Sequence, residues 1–250
     1  RFPNVVNLRT GYEEETRQLV FYMTGEMGAK RFGIIYQEDS FGRSVLRSYQ
    51  AALAERGLPI LAKSTYSRHT HGVHGSVFTM ERADLDAVML ATTTGVAGDA
   101  INAARALGQK YVVALLSIVS VKRLRAAVES TVEPALISRV LPDVEDESIA
   151  LVRRFRSALA EYRKTGPEAA RLVPDKLCLE GYILGRFVVE VLARLPNEPT
   201  RKEFLATALS ENPVFIDDWR ISFEPGGNAG SRYVRLINSG GRPPEKVIGQ

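Results

Sequence analysis

The three histidines of the chain, His69, His71 and His74, lie within the short segment SRHTHGVHG. Histidine-rich tracts of this kind can bind zinc or nickel through their imidazole nitrogens. This tract contains glycine and has no carboxylate or thiol beside it to complete a coordination sphere. We therefore predict a solvated loop, with a metal site as the alternative, and we predict no bound cofactor.

Residue arrangements typical of enzymes are missing from the sequence, which has no GxSxG, HExxH, P-loop, GxGxxG or CxxC pattern. A catalytic role would have to rest on a carboxylate such as Glu180. The only cysteine, Cys178, lies in the apolar run LCLEGYILG, which favours a small buried side chain over a reactive thiol. We predict that the protein is not an enzyme, and an enzyme with a doubly wound fold is the weaker alternative.

Hydroxyl-bearing segments follow three of the strands predicted below. They are Ser40-Phe41 in YQEDSFGRSV, ATTTG at 91–95 and SIVS at 117–120. The carboxyl ends of parallel strands share one edge of a sheet, and open α/β sheets bind their ligands there. We therefore predict that the three segments converge into a binding site. The alternative is an ordinary helix start, in which Asp39 or Ser40 caps the helix and Phe41 fills a gap.

Predicted strands and helices alternate over the first 140 residues. The predicted strands are 4–8, 31–36, 59–66, 86–92, 111–117 and 135–141. The predicted helices are 12–27, 42–56, 75–83, 95–107 and 120–128, and Gly28, Gly57 and Gly108 follow three of them. Such alternation is typical of βαβ units, so we predict an α/β fold with a doubly wound parallel sheet.

The pattern changes after Pro142. Helices are predicted at 145–164, at 175–195, and at 200–209 with a capping box of Thr200 and Glu203, and strands at 218–223 and 232–238. The second of these helices is apolar nearly all round, which predicts burial on most of its sides. Two acidic clusters, Glu13–Glu15 and Asp143–Glu147, are attributed to the first turns of helices, where the macrodipole favours negative charge.

Composition limits the possible partners. The chain has 250 residues, 45% hydrophobic content and a formal net charge of +4 that is scattered along the sequence. Nucleic-acid binding needs a clustered basic surface, so we predict no nucleic-acid partner. No run reaches the length of about 18 apolar residues that a membrane span requires, so we predict no membrane-spanning segment.

The order of these segments resembles the type I periplasmic solute-binding proteins, in the branch that serves branched-chain amino-acid, amide and aromatic-acid ABC importers. The likeness extends over residues 3 to about 238, and its quoted segments are NLRTGYEEETRQLVFYM, AKRFGIIYQEDSFGRSVLRSYQAALAERGL, DAVMLATTTGVAGDAINAARALG, ISRVLPD and LEGYILGRFVVEVL. The resemblance implies two doubly wound lobes with a small ligand held in the cleft between them. It assigns 7–140 to the second lobe, 145–225 to the helical remainder of the first, and 226–250 to a return strand and tail. It also implies that the family's N-terminal portion is absent from this sequence.

The resemblance further implies the binding residues. In the second lobe they are Phe41, Thr92, Thr93, Thr94 and Ser117. Together with Ser40, which the convergence of the three segments adds, they form the set that we call the rim. Leu177 and Cys178 are implied from the other lobe. Amino-acid binders of the family often have an acid at the Ser117 position that pairs with the ligand's ammonium, whereas serine is neutral. This difference disfavours an ordinary zwitterionic amino acid and favours a more neutral or apolar solute.

The resemblance implies a periplasmic or extracytoplasmic protein that delivers a small organic solute to an ABC permease. A lipid anchor in a longer chain is compatible with this role. The alternative is the same module used as the extracytoplasmic ligand-sensing domain of a signalling receptor.

Overall fold

The computed structural model describes residues 4–70, 72–128 and 135–238, and these residues divide into two compact units. The first, which we call the helical unit, contains residues 4–10 and 141–233. The second, the sheet unit, contains residues 11–140, apart from the gaps, together with residues 234–238.

A six-stranded sheet forms the centre of the sheet unit. Its strands are β1 (Phe32–Gln37), β2 (Ile60–Tyr66), β3 (Ala87–Ala91), β4 (Val112–Leu115), β5 (Ala135–Arg139) and β8 (Arg235–Asn238). Their order is β2-β1-β3-β4-β5-β8, and all neighbours are parallel except β5 and β8. The register pairs Phe32 with Ala87 and Ala87 with Val112, so the strands of this part of the sheet end at a common edge.

Helices cover both faces of this sheet. They are α1 (Tyr12–Gly25), α2 (Ser40–Ala54), α3 (His74–Glu81), α4 (Thr94–Ala106) and α5 (Val121–Ala127). One buried cluster joins α1 and α2 to the sheet and a second joins α3, α4 and α5 to its other face. Strands β1, β3, β4 and β5 are buried on both faces, as parallel strands between two helical layers must be, whereas the edge strand β2 is partly exposed. The predicted doubly wound fold is confirmed.

Most of the predicted elements of this unit agree with the structure to within two or three residues. The three glycines predicted to end helices all adopt positive φ, with Gly28 at 67°, Gly57 at 69° and Gly108 at 72°. Asp39 is the N-cap of α2, as one of the two predicted alternatives required.

The predicted strand 4–8 is wrong. Asn7 makes only an isolated parallel bridge with Ala229, and Val5 is 43% exposed. The segment NVVNL has the β-branched composition of a strand, but a single bridge in the helical unit replaces pairing along its length.

The helical unit contains the remaining elements. They are α6 (Ala150–Tyr162), a 3₁₀ turn (Arg163–Thr165), α7 (Pro167–Ala170), α8 (Lys176–Leu192), α9 (Arg201–Ala208) and the antiparallel strands β6 (Val214–Ile216) and β7 (Trp219–Ile221). The capping box of Thr200 and Glu203 is present at the start of α9. The sequence had predicted neither α7 nor β6.

The helix predicted at 145–164 begins five residues later than expected. The carboxylate of Asp218 accepts hydrogen bonds from the backbone N–H groups of Ala150 (2.8 Å) and Leu151 (2.9 Å), which fixes the first turn there. Two residues of the acidic cluster, Glu145 and Glu147, instead form ion pairs with Arg156. The macrodipole explanation of this cluster is therefore wrong.

Helix α8 is buried on one face only, contrary to the prediction of burial on most sides. The buried positions follow helical spacing and are Leu179, Ile183, Phe187 and Val191. Other apolar side chains remain exposed, among them Leu177, Leu184, Val188, Val189 and Leu192. Within the described ranges, no helix is both long and apolar enough to cross a membrane.

Candidate functional site

The rim lies at the carboxyl ends of β1, β3 and β4, three adjacent strands of the sheet unit. Each of these strands leads into a helix within a few residues, so the start of α2, the start of α4 and the segment after β4 belong to one edge. This is the edge at which open α/β sheets bind ligands. The three segments share this edge, as the sequence predicted. Their role in binding a solute stays a prediction.

Ser40 and Phe41 form the first turn of α2 rather than a loop. The side chain of Asp39 accepts a hydrogen bond from the backbone N–H of Gly42 (3.0 Å) and so holds this turn in place. Ser40 is exposed and Phe41 is half-buried. The ring of Phe41 packs edge-on against Tyr12 of α1, with the ring centroids 5.2 Å apart. Phe41 thus both packs against the sheet unit and presents part of its ring to solvent.

A series of side-chain hydrogen bonds connects strands β1 and β2 to the start of α2. The hydroxyl of Tyr66 donates to Oε1 of Gln37 (3.0 Å), and the amide of Gln37 donates to Oδ2 of Asp39 (2.6 Å). Burial raises the pKa of Tyr66 to about 12, and a hydrogen bond with the backbone of Thr93 opposes that rise. Partial burial also opposes ionisation of Asp39, but the hydrogen bonds from Gly42 and Gln37 keep its pKa below the ordinary value.

The three threonines differ in what they present. Thr92 is fully buried, and its hydroxyl donates to the carbonyl oxygen of Thr93 (3.3 Å). Thr93 is exposed at the N-cap of α4, where its side chain makes no capping hydrogen bond. The hydroxyl oxygen of Thr94 accepts a hydrogen bond from the backbone N–H of Ser120 (3.0 Å), which connects the segments after β3 and β4. Thr93 is therefore the best placed of the three to meet a solute.

Ser117 lies just after β4 and is 8% exposed. Its neighbour on the inner side is the carboxylate of Glu15, which belongs to α1. From the sequence alone, Glu15 is grouped with Glu13 and Glu14 as carboxylates that the helix macrodipole favours. One signal could have separated it from them, because Glu15 shares the face of α1 that holds Leu19 and Met23, at spacings of four and eight residues.

Leu177 and Cys178 lie in the first turn of α8, in the helical unit. Leu177 is 67% exposed. Cys178 is half-buried rather than fully buried as predicted, and burial, together with the nearby charge of Asp175, raises the pKa of its thiol. A raised thiol pKa disfavours the reactive thiolate. Whether these two residues share a site with the rim stays a prediction.

The remaining candidates from the sequence are the three histidines, considered for metal binding, and Glu180, considered for catalysis. His69 is exposed, His74 is the first residue of α3, and His71 lies outside the described residues. Among the residues that the structure describes, no group of three or more His, Cys, Asp or Glu side chains could hold a metal ion. Glu180, the carboxylate considered for catalysis, forms an ion pair with Arg9 at 3.0 Å within the helical unit.

Comparison with known proteins agrees with this architecture. The sequence profile described as periplasmic binding protein matches residues 1–230, and the chain belongs to this family. No curated protein sequence matches the chain significantly. As a member of the family it is a periplasmic or extracytoplasmic protein with the type I solute-binding fold, and the family consists of binding proteins rather than enzymes.

Solved structures share the fold at low sequence identity. A substrate-binding periplasmic protein from Ralstonia solanacearum is 22% identical with a TM-score of 0.81, over 96% of this chain and 67% of that one. A possible leucine/isoleucine/valine-binding protein from Rhodopirellula baltica is 22% identical with a TM-score of 0.81, over 98% and 68%. A fatty acid ABC transporter substrate-binding protein from Thermomonospora curvata is 18% identical with a TM-score of 0.75, over 94% and 62%.

Proposed function

We propose that this chain is the substrate-binding component of an ABC transporter and captures a small organic solute at the rim. The observation that carries the proposal is the convergence of exposed hydroxyl groups and a half-buried aromatic ring at the carboxyl edge of the parallel sheet. Ser40 and Thr93 offer hydrogen bonds there, and Phe41 offers an apolar surface. Membership of a family of solute-binding proteins supports the same role.

The proposed site comprises Ser40, Phe41, Thr92, Thr93, Thr94 and Ser117, to which the family resemblance adds Leu177 and Cys178. Thr92 is buried, so its contribution is indirect: its hydroxyl holds the backbone of Thr93 in place. The partners are the solute and an ABC permease. The neutral residue type at position 117, taken alone, disfavours an ordinary zwitterionic amino acid.

The names of the structural relatives support an aliphatic solute. One names leucine, isoleucine and valine, and another names a fatty acid, so both ligand classes are small or extended aliphatic molecules. That second name also specifies an ABC transporter, which favours transport over the sensing role that the sequence left open. Permease and ATPase genes beside the gene for this chain support transport, whereas a kinase or cyclase domain in the same reading frame supports sensing.

Thermal unfolding in the presence of solute pools tests the proposal. The pools contain amino acids, aliphatic amides, aliphatic carboxylates and aromatic carboxylates, each at millimolar concentration. A ligand that binds only the native state raises the unfolding temperature by mass action, so we expect one pool to do so and calorimetric titration of its members to identify the solute. Absence of stabilisation by every pool, or turnover of the bound compound, contradicts the proposal.

A further inference from the structure

A buried carboxylate stands directly behind Ser117. Glu15 has no exposed surface, in contrast to Glu13, which precedes it by two residues on α1 and is exposed. Its Oε2 accepts hydrogen bonds from the backbone N–H of Ser117 (2.8 Å) and from the hydroxyl of Ser138 (2.6 Å). Its Oε1 accepts a hydrogen bond from the hydroxyl of Ser117 (3.0 Å). Burying a carboxylate is costly, and these three hydrogen bonds offset part of that cost.

These hydrogen bonds decide whether the Ser117 hydroxyl can donate or accept toward a further group. A serine offers two donors, its backbone N–H and its hydroxyl proton, and Glu15 takes both. A hydroxyl oxygen whose proton is already donated can only accept a hydrogen bond from any further group. Any group that approaches the Ser117 oxygen from the rim must therefore donate.

We propose that Glu15 is a positioning residue that makes Ser117 a hydrogen-bond acceptor, so that the solute meets Ser117 with an N–H or O–H donor. The inference rests on the proposed function, because it requires the rim to bind a solute. An anionic carboxylate has no hydrogen to donate to the Ser117 oxygen, so such a group does not satisfy this position. An ammonium, an amide N–H or a hydroxyl fits this position, whereas a carboxylate does not.

The helical turn that contains Glu15 also contributes an apolar surface for the solute. Tyr12 precedes Glu15 by three residues, and positions three apart on a helix are neighbours on its surface. Tyr12 contacts Phe41, so α1 places an aromatic pair one turn away from the residue that orients Ser117. The solute class that this arrangement favours is an aliphatic molecule with a hydrogen-bond donor at one end.

The solute group expected at Ser117 differs from the one that the residue type at position 117 alone indicates. Serine alone indicated a neutral partner for the solute. Glu15 places an acid behind it, although the acid comes from a helix 102 residues earlier in the chain. Ser117 and Glu15 therefore act as one recognition group, with the serine oxygen as its contact point.

Three matched probes test the inference by calorimetric titration of the 250-residue chain. L-Leucine, 4-methylpentanamide and 4-methylpentanoate share one carbon skeleton and differ in carrying an ammonium, an amide N–H or, at neutral pH, no donor. We expect at least one of the two donor-bearing probes to bind at least tenfold more tightly than 4-methylpentanoate. Comparison of leucine with the amide then shows whether the donor is an ammonium or an amide. Equal or tighter binding of 4-methylpentanoate overturns the inference.

The variant Glu15→Gln tests the positioning role. The glutamine carbonyl can replace Oε2, which accepts from two groups, and its amide can replace Oε1 and donate to the Ser117 oxygen. The serine proton is then free to point toward the rim, so the preference for donor-bearing probes should fall at least tenfold. Glu13→Gln, a change at the exposed carboxylate on the same turn, should leave the preference unchanged. A purely structural role for Glu15 would weaken all three probes alike and would overturn the inference.

A second variant keeps the test decisive if Glu15→Gln does not fold, as judged by circular dichroism. Ser117→Ala removes the acceptor itself, so we expect the preference for donor-bearing probes to disappear, and an unchanged preference contradicts the inference. If all three probes fail while another solute pool stabilises the chain, the inference is wrong and the proposed function stands. If no pool stabilises the chain, the proposed function fails first and the inference fails with it.

Discussion

The ring of Phe41 meets the ring of Tyr12 edge-on, with 5.2 Å between their centroids and 67° between their planes. This geometry is the favourable T-shaped arrangement of aromatic pairs. It connects the first turn of α2 to the first turn of α1, and it leaves part of the Phe41 ring in contact with solvent. Phe41 therefore stabilises the sheet unit to some extent while it remains available to a solute.

Phe41→Ala should reflect both contacts. Loss of the aromatic pair and of partial burial should lower the free energy of unfolding by about 1–2 kcal/mol, which is less than the roughly 3–5 kcal/mol of a fully buried phenylalanine. Affinity for the solute should fall by about 1–3 kcal/mol, the usual effect of removing one aromatic contact. Urea unfolding and calorimetric titration measure the two effects. A large loss of stability with unchanged affinity would remove Phe41 from the site.

Gly42→Ala should be strongly destabilising because of space rather than backbone conformation. A Cβ atom at this position would overlap the carbonyl oxygen of Gln37, which is backbone and cannot swing away. We expect a loss of about 2–3 kcal/mol, in the range of overpacking substitutions. Gly75→Ala is the matched control, because a Cβ at that helical position meets nothing within 4 Å. That change should be neutral or slightly stabilising in urea unfolding.

The sequence predicted the strands and helices of the sheet unit because their signals are local. Apolar runs, glycines at helix ends and the cap at Asp39 each depend on a few neighbouring residues. The partners of Glu15 and Tyr66 were not predictable in this way. Glu15 bonds to residues 102 and 123 positions away, and Tyr66 bonds to Gln37 across 29 positions. Such pairs become neighbours only once the order of the strands is known.

The helical unit shows the same limit. The spacing of four residues between Phe155 and Leu159 is typical of a helix and indicates α6, but the first residue of α6 is set by Asp218, 68 positions away from Ala150. Likewise, the apolar composition of α8 indicated burial on most sides, yet composition does not reveal which face has a neighbour. Local patterns identify an element, whereas distant contacts decide its ends and its exposure.

Asp86 should contribute pH-dependent stability. Its side chain accepts hydrogen bonds from the side chain of Arg31 and from the backbone N–H groups of Lys30 and Arg31, and the Arg31 side-chain hydrogen bond is the main reason why its pKa falls to about 2. A carboxyl with a lowered pKa in the folded state stabilises that state above its unfolded pKa. This contribution is lost as the pH falls from about 5 to about 2.

Asp86→Asn should therefore lower the free energy of unfolding by about 1–2 kcal/mol at pH 7, a value reduced by the partial exposure of the pair. The difference from the unmodified chain should shrink as the pH approaches 2. Urea unfolding at several pH values measures it. Glu211→Gln, a change at an exposed carboxylate of the helical unit, serves as the control and should show no such trend. A constant difference from pH 7 to pH 2 would contradict the prediction.

Glu180→Gln should affect stability only slightly and should abolish no reaction. The carboxylate forms an ion pair with Arg9 at 3.0 Å, and both side chains are about one-third exposed. Pairs with this exposure contribute about 0–1 kcal/mol, because water screens the attraction and ordering two long side chains costs entropy. A double-mutant cycle with Arg9→Gln, measured by urea unfolding, should give a coupling energy below about 1 kcal/mol that decreases as salt is added. Loss of a demonstrable activity in Glu180→Gln would contradict this prediction. It would show that Glu180 is catalytic and that the protein is an enzyme.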